Sequence, residues 1–87
     1  MYYLYILECA DKTLYTGITT DLERRELEHN ASELGAKYTR ARRPVRVVYA
    51  KGFQDRSTAS SEEARVKALS RVKKLELIKL YHKAKAF

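Results

Sequence analysis

Five cations crowd into residues 37 to 46 of this sequence: Lys37, Arg40, Arg42, Arg43 and Arg46, with Tyr38 and Thr39 among them and no acidic side chain nearby. Such a cluster suits phosphate. Each cation that neutralises a phosphate releases a condensed counterion, and a guanidinium forks onto two phosphate oxygens at once. A solvated basic face is the plainer reading. The run lies between two structured segments rather than on a loose tail, which favours a polyanionic partner. Lys79, Lys83 and Lys85 suit the C-terminal end of a helix and its dipole.

Other chemically capable side chains are sparse. The sequence has no glycine-rich phosphate loop, no Cys/His metal cluster and no G-x-S-x-G, and its two histidines, His29 and His82, lie far apart. What remains is a surplus of tyrosine near the N-terminus, the pair Arg25 and His29 at helical i,i+4 spacing, and the pair Glu62 and Glu63. Tyr5 and Tyr15 belong to the two arms of one expected hairpin. They face each other if its turn centres near Ala10. Sheet packing alone accounts for two such tyrosines. Gly17 leaves room for a backbone or a phosphate to approach. Glu63 ends Ser60-Ser-Glu-Glu63, which also fits a capping box, and an exposed ion pair with Glu28 or Asp21 accounts for Arg25.

The elements that must position these residues follow from pattern. Tyr2 to Leu7 is aromatic and branched on both faces, as in a covered central strand. After a turn over 8–13, Leu14 to Thr19 returns as a second strand. Thr20-Asp-Leu-Glu23 reads as a capping box that starts a helix running to about Leu34, with Gly35 at its stop and Leu27, Ala31 and Leu34 as its apolar face. Residues 36–43 form a basic loop, Pro44 opens a third strand over 45–50, and 51–56 is a loop. A helix starting between Ser57 and Ser61 carries Ala59, Val66 and Leu69. Ser70 caps a last helix with Val72, Leu75, Ile78 and Tyr81 inward. The order β-β-α-β-α-α predicts a small α/β (α+β) fold, a three-stranded, mainly antiparallel sheet flanked by helices, as one domain over 1–87.

Composition bounds the function. Eighty-seven residues with 45% hydrophobic and 33% charged side chains support a small core and one shallow site. The net charge of +7 is uneven: residues 1–35 sum to −4, residues 36–61 to +6 and the rest to +5. No apolar run suits a membrane span, the N-terminus has no signal-peptide pattern, and the lone Cys9 fits a reducing cytoplasm.

Taken together these residues resemble a GIY-YIG nuclease module of the small single-domain bacterial type. The first motif reads Tyr3-Leu4-Tyr5 and the second Tyr15-Thr16-Gly17, with the usual ten-residue spacing between Tyr5 and Tyr15. The run Ile18 to Arg25, then His29-Asn30, the stretch from Gly35 to Pro44, and Lys67-Ala-Leu-Ser-Arg71 resemble the same branch, so the likeness covers about residues 2–78. Tyr3 stands where the family has glycine, and His29 where other branches often carry tyrosine.

The resemblance implies metal-dependent hydrolysis of phosphodiester bonds in DNA, with RNA left open, selective for structure or single strands rather than sequence, in DNA repair or processing. It implies one divalent cation, Mg²⁺ or Mn²⁺, and no small-molecule cofactor. Glu63 would be the metal's carboxylate ligand. Arg25 would bind the phosphate and offset the charge of the transition state. Tyr5 would take a proton from the attacking water or orient it, which calls for a phenol pKa brought down by neighbouring cations or metal. Tyr15 and His29 would complete the wall. Glu63 precedes Leu69 by six residues as in the family, whereas helical angles alone put Glu62 nearer the centre of the Val66/Leu69 stripe. The alternative is a non-catalytic nucleic-acid-binding module on the same fold, with Tyr38 stacking on an unpaired base.

Overall fold

The structure, a computed structural model, describes residues 1–31 and 36–85. It contains β1 (Tyr2–Glu8), β2 (Leu14–Thr19), α1 (Leu22–Ala31), α2 (Lys37–Arg40), β3 (Arg46–Phe53), α3 (Arg56–Lys67) and α4 (Arg71–Lys85). This is the β-β-α-β-α-α order with one extra turn of helix, α2, in the segment expected as a loop. The sheet runs β2-β1-β3 with both pairings antiparallel.

The most aromatic and branched segment becomes the central strand because only there are both of its faces covered. Leu4 and Ile6 point to one side and join Val48 and Val66, with Leu69, Leu77 and Ile78 packed around them. Tyr5, Leu7 and Cys9 point to the other and join Val45, with Tyr15, Leu22 and Val47. Helices α3 and α4 supply side chains to the first layer; α1 borders the second.

Register and helix faces depart from the sequence reading in instructive ways. The hairpin turn centres on Asp11, not Ala10. Asp11 Oδ1 accepts both the amide and the hydroxyl of Thr13, and Lys12 takes a positive φ of 69°. Tyr5 therefore faces Gly17, and Tyr15 faces Leu7. Helix α1 is capped by Asp21, whose Oδ1 accepts from the Arg24 amide, not by Thr20. Its expected apolar face is turned outward: Leu27 is 68% exposed and Ala31 is also exposed, while Leu34 and Gly35 lie outside the described residues.

The face of α1 that packs inward bonds to the open edge of β3. Glu26 accepts the Val47 amide at 2.7 Å, while the Asn30 amide group clasps Val45 by N–H and C=O at 2.7 and 2.8 Å. Backbone groups of an edge strand need such partners. Helix α3 starts earlier than expected, because Asp55 caps it through the Thr58 amide. Ser70 does cap α4, through the Lys73 amide. On α4, Leu77 and Ile78 pack inward and Tyr81 lies against Tyr49, whereas Val72 and Leu75 are exposed.

Candidate active site

The site begins with a missing side chain. A Cβ on Gly17 would lie 2.6 Å from the Tyr5 hydroxyl and 2.8 Å from Cζ, so the Tyr5 ring lies across β2 over that residue. The space expected to admit a backbone or a phosphate holds this ring instead. Reaching over β2, the phenol of the central strand meets side chains of α1 and faces the charge of Glu63 on α3.

Two of the expected residues, His29 and Arg25, meet that hydroxyl, and two more, Tyr15 and Glu63, act on it through charge. The Tyr5 hydroxyl lies 3.0 Å from His29 Nε2, and it also bonds to the Arg25 guanidinium. The charge of Glu63 acts on it from α3. Tyr15 sets its ring edge-on to His29, with centroids 5.3 Å apart, and itself acts on the Tyr5 charge. Tyr5 and His29 are buried, at 2% and 0% exposure, whereas Tyr15, Arg25 and Glu63 are half-buried. The arrangement is a rim over a floor. Arg25 is held by Glu28 at 2.9 Å, so the ion pair, half-buried rather than exposed as expected, and the site contact exist together, with guanidinium donors enough for both.

Burial sets the floor's electrostatics. It raises the Tyr5 pKa above the ordinary phenol value, and the neighbouring Arg25 only partly offsets it. The expectation of a lowered phenol pKa is therefore corrected: desolvation outweighs the cation. Burial, and next the Arg25 charge, lower the His29 pKa from 6.5 to about 4. At neutral pH the floor is two neutral groups.

The adjacent glutamates look in different directions. Glu62 is paired with Arg65 and shares its electrostatic neighbourhood with Lys51 and Tyr49 on β3. Glu63 feels Lys67, 3.3 Å away, and acts on Tyr5. Because α3 starts at Arg56, Glu63 sits in the helix interior and caps nothing. Among the described residues no three His, Cys, Asp or Glu gather as a metal cage. One half-buried carboxylate with only a lysine for a partner fits a hard cation that keeps most of its ligands as water and phosphate oxygens.

Much of the basic segment is stitched into the fold. The Arg42 guanidinium lies 4.1 Å from the Tyr38 ring centroid, donates to the Tyr38 carbonyl and pairs with Asp11 at 3.1 Å. Arg43 Nε donates to the His29 carbonyl at 2.6 Å, and Arg46 pairs with Glu8. Tyr38 itself stacks on Tyr15, so its ring is engaged before any base arrives. Lys37 and Arg40 are exposed on α2.

Thr39, passed over as a spacer between basic residues, is fully buried, 2.7 Å from His29 Nδ1. Asn30 was noted only beside His29, yet it ties α1 to Val45. The usable signal was a poor helix former inside a helix: such an amide needs a nearby partner.

Three comparisons bear on this arrangement. The GIY-YIG catalytic domain family matches residues 1–76. A UPF0213 protein of Desulfotalea psychrophila is 52% identical over 82 residues, covering 94% of this chain and 74% of its own, and one of Haloquadratum walsbyi is 55% identical over 76 residues, covering 87% and 84%. The solution structure of the UPF0213 protein from Bacillus halodurans is 51% identical, covers 92% of this chain and 85% of that one, and superposes with a TM-score of 0.59. A second solution structure, from E. faecalis, is 44% identical, covers 93% and 85%, and gives a TM-score of 0.62.

Proposed function

As the chain belongs to the GIY-YIG catalytic domain family, a nuclease family, we propose that it hydrolyses phosphodiester bonds in DNA with the help of one divalent cation at Glu63. The observation that carries this reading is the Tyr5 hydroxyl lying 3.0 Å from His29 Nε2 and beside the Arg25 guanidinium, with the Glu63 charge acting on it from α3. No membrane-crossing helix occurs among the described residues, and the net charge of +7 suits a polyanionic partner.

In this reading Arg25 and the exposed cations Lys37 and Arg40 bind the phosphate backbone, with Arg25 offsetting the charge that grows on the scissile phosphate. Bound by Glu63, water and phosphate oxygens, Mg²⁺ or Mn²⁺ would supply a Lewis acid at the leaving oxygen. Tyr5 acts as a neutral relay, in keeping with the burial that raises its pKa. The O–H bond of the attacking water breaks toward the Tyr5 oxygen while the phenol proton passes to His29 Nε2. The water oxygen bonds to phosphorus as the P–O ester bond breaks, and the imidazolium returns its proton to Tyr5, whose extra proton passes through solvent to the departing ester oxygen. An incoming phosphodiester opposes the Arg25 charge that depresses His29, so the base gains strength when substrate is present. A grip made on phosphates carries no sequence information, which favours selectivity for structure or single strands.

Incubation with single-stranded, duplex and branched DNA in Mg²⁺, Mn²⁺ or EDTA tests the proposal. Cleavage that needs the cation and is lost in Glu63→Gln is expected. Binding without cleavage in every condition would replace it with a non-catalytic nucleic-acid-binding module.

A further inference from the structure

Behind His29, on the side away from Tyr5, lies a hydroxyl that the nuclease reading leaves without a role. Thr39 Oγ1 is 2.7 Å from His29 Nδ1 and donates its own proton to the Ala36 carbonyl at 2.9 Å. A hydroxyl has one proton. Once that proton is given to Ala36, the short contact requires Nδ1 to carry hydrogen and donate to Thr39. The neutral ring then has a bare Nε2.

The other side of the ring is compatible with the same state. A guanidinium only donates, so in the Arg25–Tyr5 bond the phenol oxygen accepts and its proton is free to point at Nε2, 3.0 Å away. The Ala36 amide also donates toward Nδ1, but from 3.4 Å it is the longest contact on the ring, and the 2.7 Å contact with Thr39 outweighs it. Every short contact in the chain from Ala36 through Thr39 and His29 to Tyr5 is satisfied by one direction of donation. Both middle residues are fully buried, so water cannot substitute for a lost partner.

We propose that Thr39 is a positioning residue: by accepting the Nδ1 proton of His29 and giving its own to the Ala36 carbonyl, it fixes the tautomer that holds Nε2 bare toward Tyr5. The assignment of the tautomer stands on geometry; its use in hydrolysis rests on the nuclease reading above. Thr39 sits on α2 between Tyr38 and Arg40, so the segment offered to the phosphate backbone also holds the base in its working form.

Long-range ¹H–¹⁵N correlation of the imidazole in the full chain near neutral pH reads the tautomer directly. The wild type is expected to show Nδ1–H; a proton on Nε2 overturns the proposal without any variant. Thr39→Val keeps the shape and removes the hydroxyl, and should move the ring toward Nε2–H. Thr39→Ser should keep the wild-type signature. An unchanged tautomer in Thr39→Val overturns the assignment. With DNA and Mn²⁺, Thr39→Val should lower kcat by roughly 10- to 100-fold with KM near wild type, and Thr39→Ser should restore it. Loss of kcat without a tautomer change counts against the proposal. Should the wild type cleave nothing while the tautomer follows Thr39, the positioning role stands and the nuclease reading falls.

Discussion

Leu4 and Ile6 on one face of β1 are covered by carbon, from Val66, Leu69, Leu77 and Ile78 of the α3–α4 layer. The opposite face carries Tyr5 and Leu7 and is closed by α1 and α2 largely through directed bonds: Glu26 to Val47, Asn30 to Val45, Arg43 to the His29 carbonyl, and Thr39 to His29. The first layer gains stability roughly in proportion to area and tolerates small shifts of any one atom. In the second, the bonds that fix atoms to tenths of an ångström also make a missing partner expensive. Chemistry needs fixed atoms, and the candidate site lies in the second layer.

Mutations that separate activity from stability test this division most severely. Arg25→Ala should reduce turnover by about 10²- to 10³-fold, the usual loss of one charge-stabilising group, while lowering stability much less than Leu4→Ala does. Single-turnover cleavage beside denaturant melts checks both halves. Leu4→Ala is the mirror case, costing about 3 kcal/mol through lost burial and a residual cavity, with unchanged turnover per folded molecule. Equal stability losses in the two variants would erase the distinction.

The pH dependence of stability sharpens it further. Buried neutral in the fold, His29 binds a proton less readily than in the unfolded chain, with a pKa lowered from 6.5 to about 4. The unfolded state therefore gains protons first as pH falls. The contribution is fully present above pH 6.5 and drains away toward about pH 4, for a total near 3 kcal/mol. Urea titrations of wild type and His29→Gln across that window should converge at the acid end. The Leu4→Ala penalty, with no proton in it, should stay level.

The apolar layer was also the more legible in sequence. Branched and aromatic residues on both faces identified the central strand, and Val66 and Leu69 identified the packed side of α3. Periodicity counts carbon, however, and α1 buries Glu26, His29 and Asn30 while exposing Leu27. The stripe that looked apolar was therefore the wrong one. The turn was misjudged by one residue because the Asp11 side chain, not the backbone alone, organises it, and a one-residue shift changes which residue faces Tyr5. The family resemblance is what pointed to Tyr5, Arg25, His29 and Glu63 as candidates. Nothing in spacing marks Thr39, whose role comes from a contact ten residues away in sequence that exists only once α2 docks beneath α1.

The basic segment offers the finest division within the polar layer itself, between cations built into the fold and those presented to solvent. Arg43 donates to the His29 carbonyl at 2.6 Å, so Arg43→Ala leaves a half-buried acceptor without this donor and should cost about 1–2 kcal/mol of stability. DNA binding should weaken as well, because the same charge faces the site. Lys37 is exposed, and Lys37→Ala should leave stability within about 0.5 kcal/mol of wild type. Its effect should appear in the salt dependence of DNA binding, where losing one phosphate contact lowers the log–log slope by about 0.9 on duplex DNA or about 0.7 on single strands. Fluorescence anisotropy over a salt series, paired with thermal melts, separates the two cases. A Lys37→Ala variant that melts early, or an Arg43→Ala variant that melts like wild type, would mean that the division between structural and presented charge does not follow the hydrogen bonds.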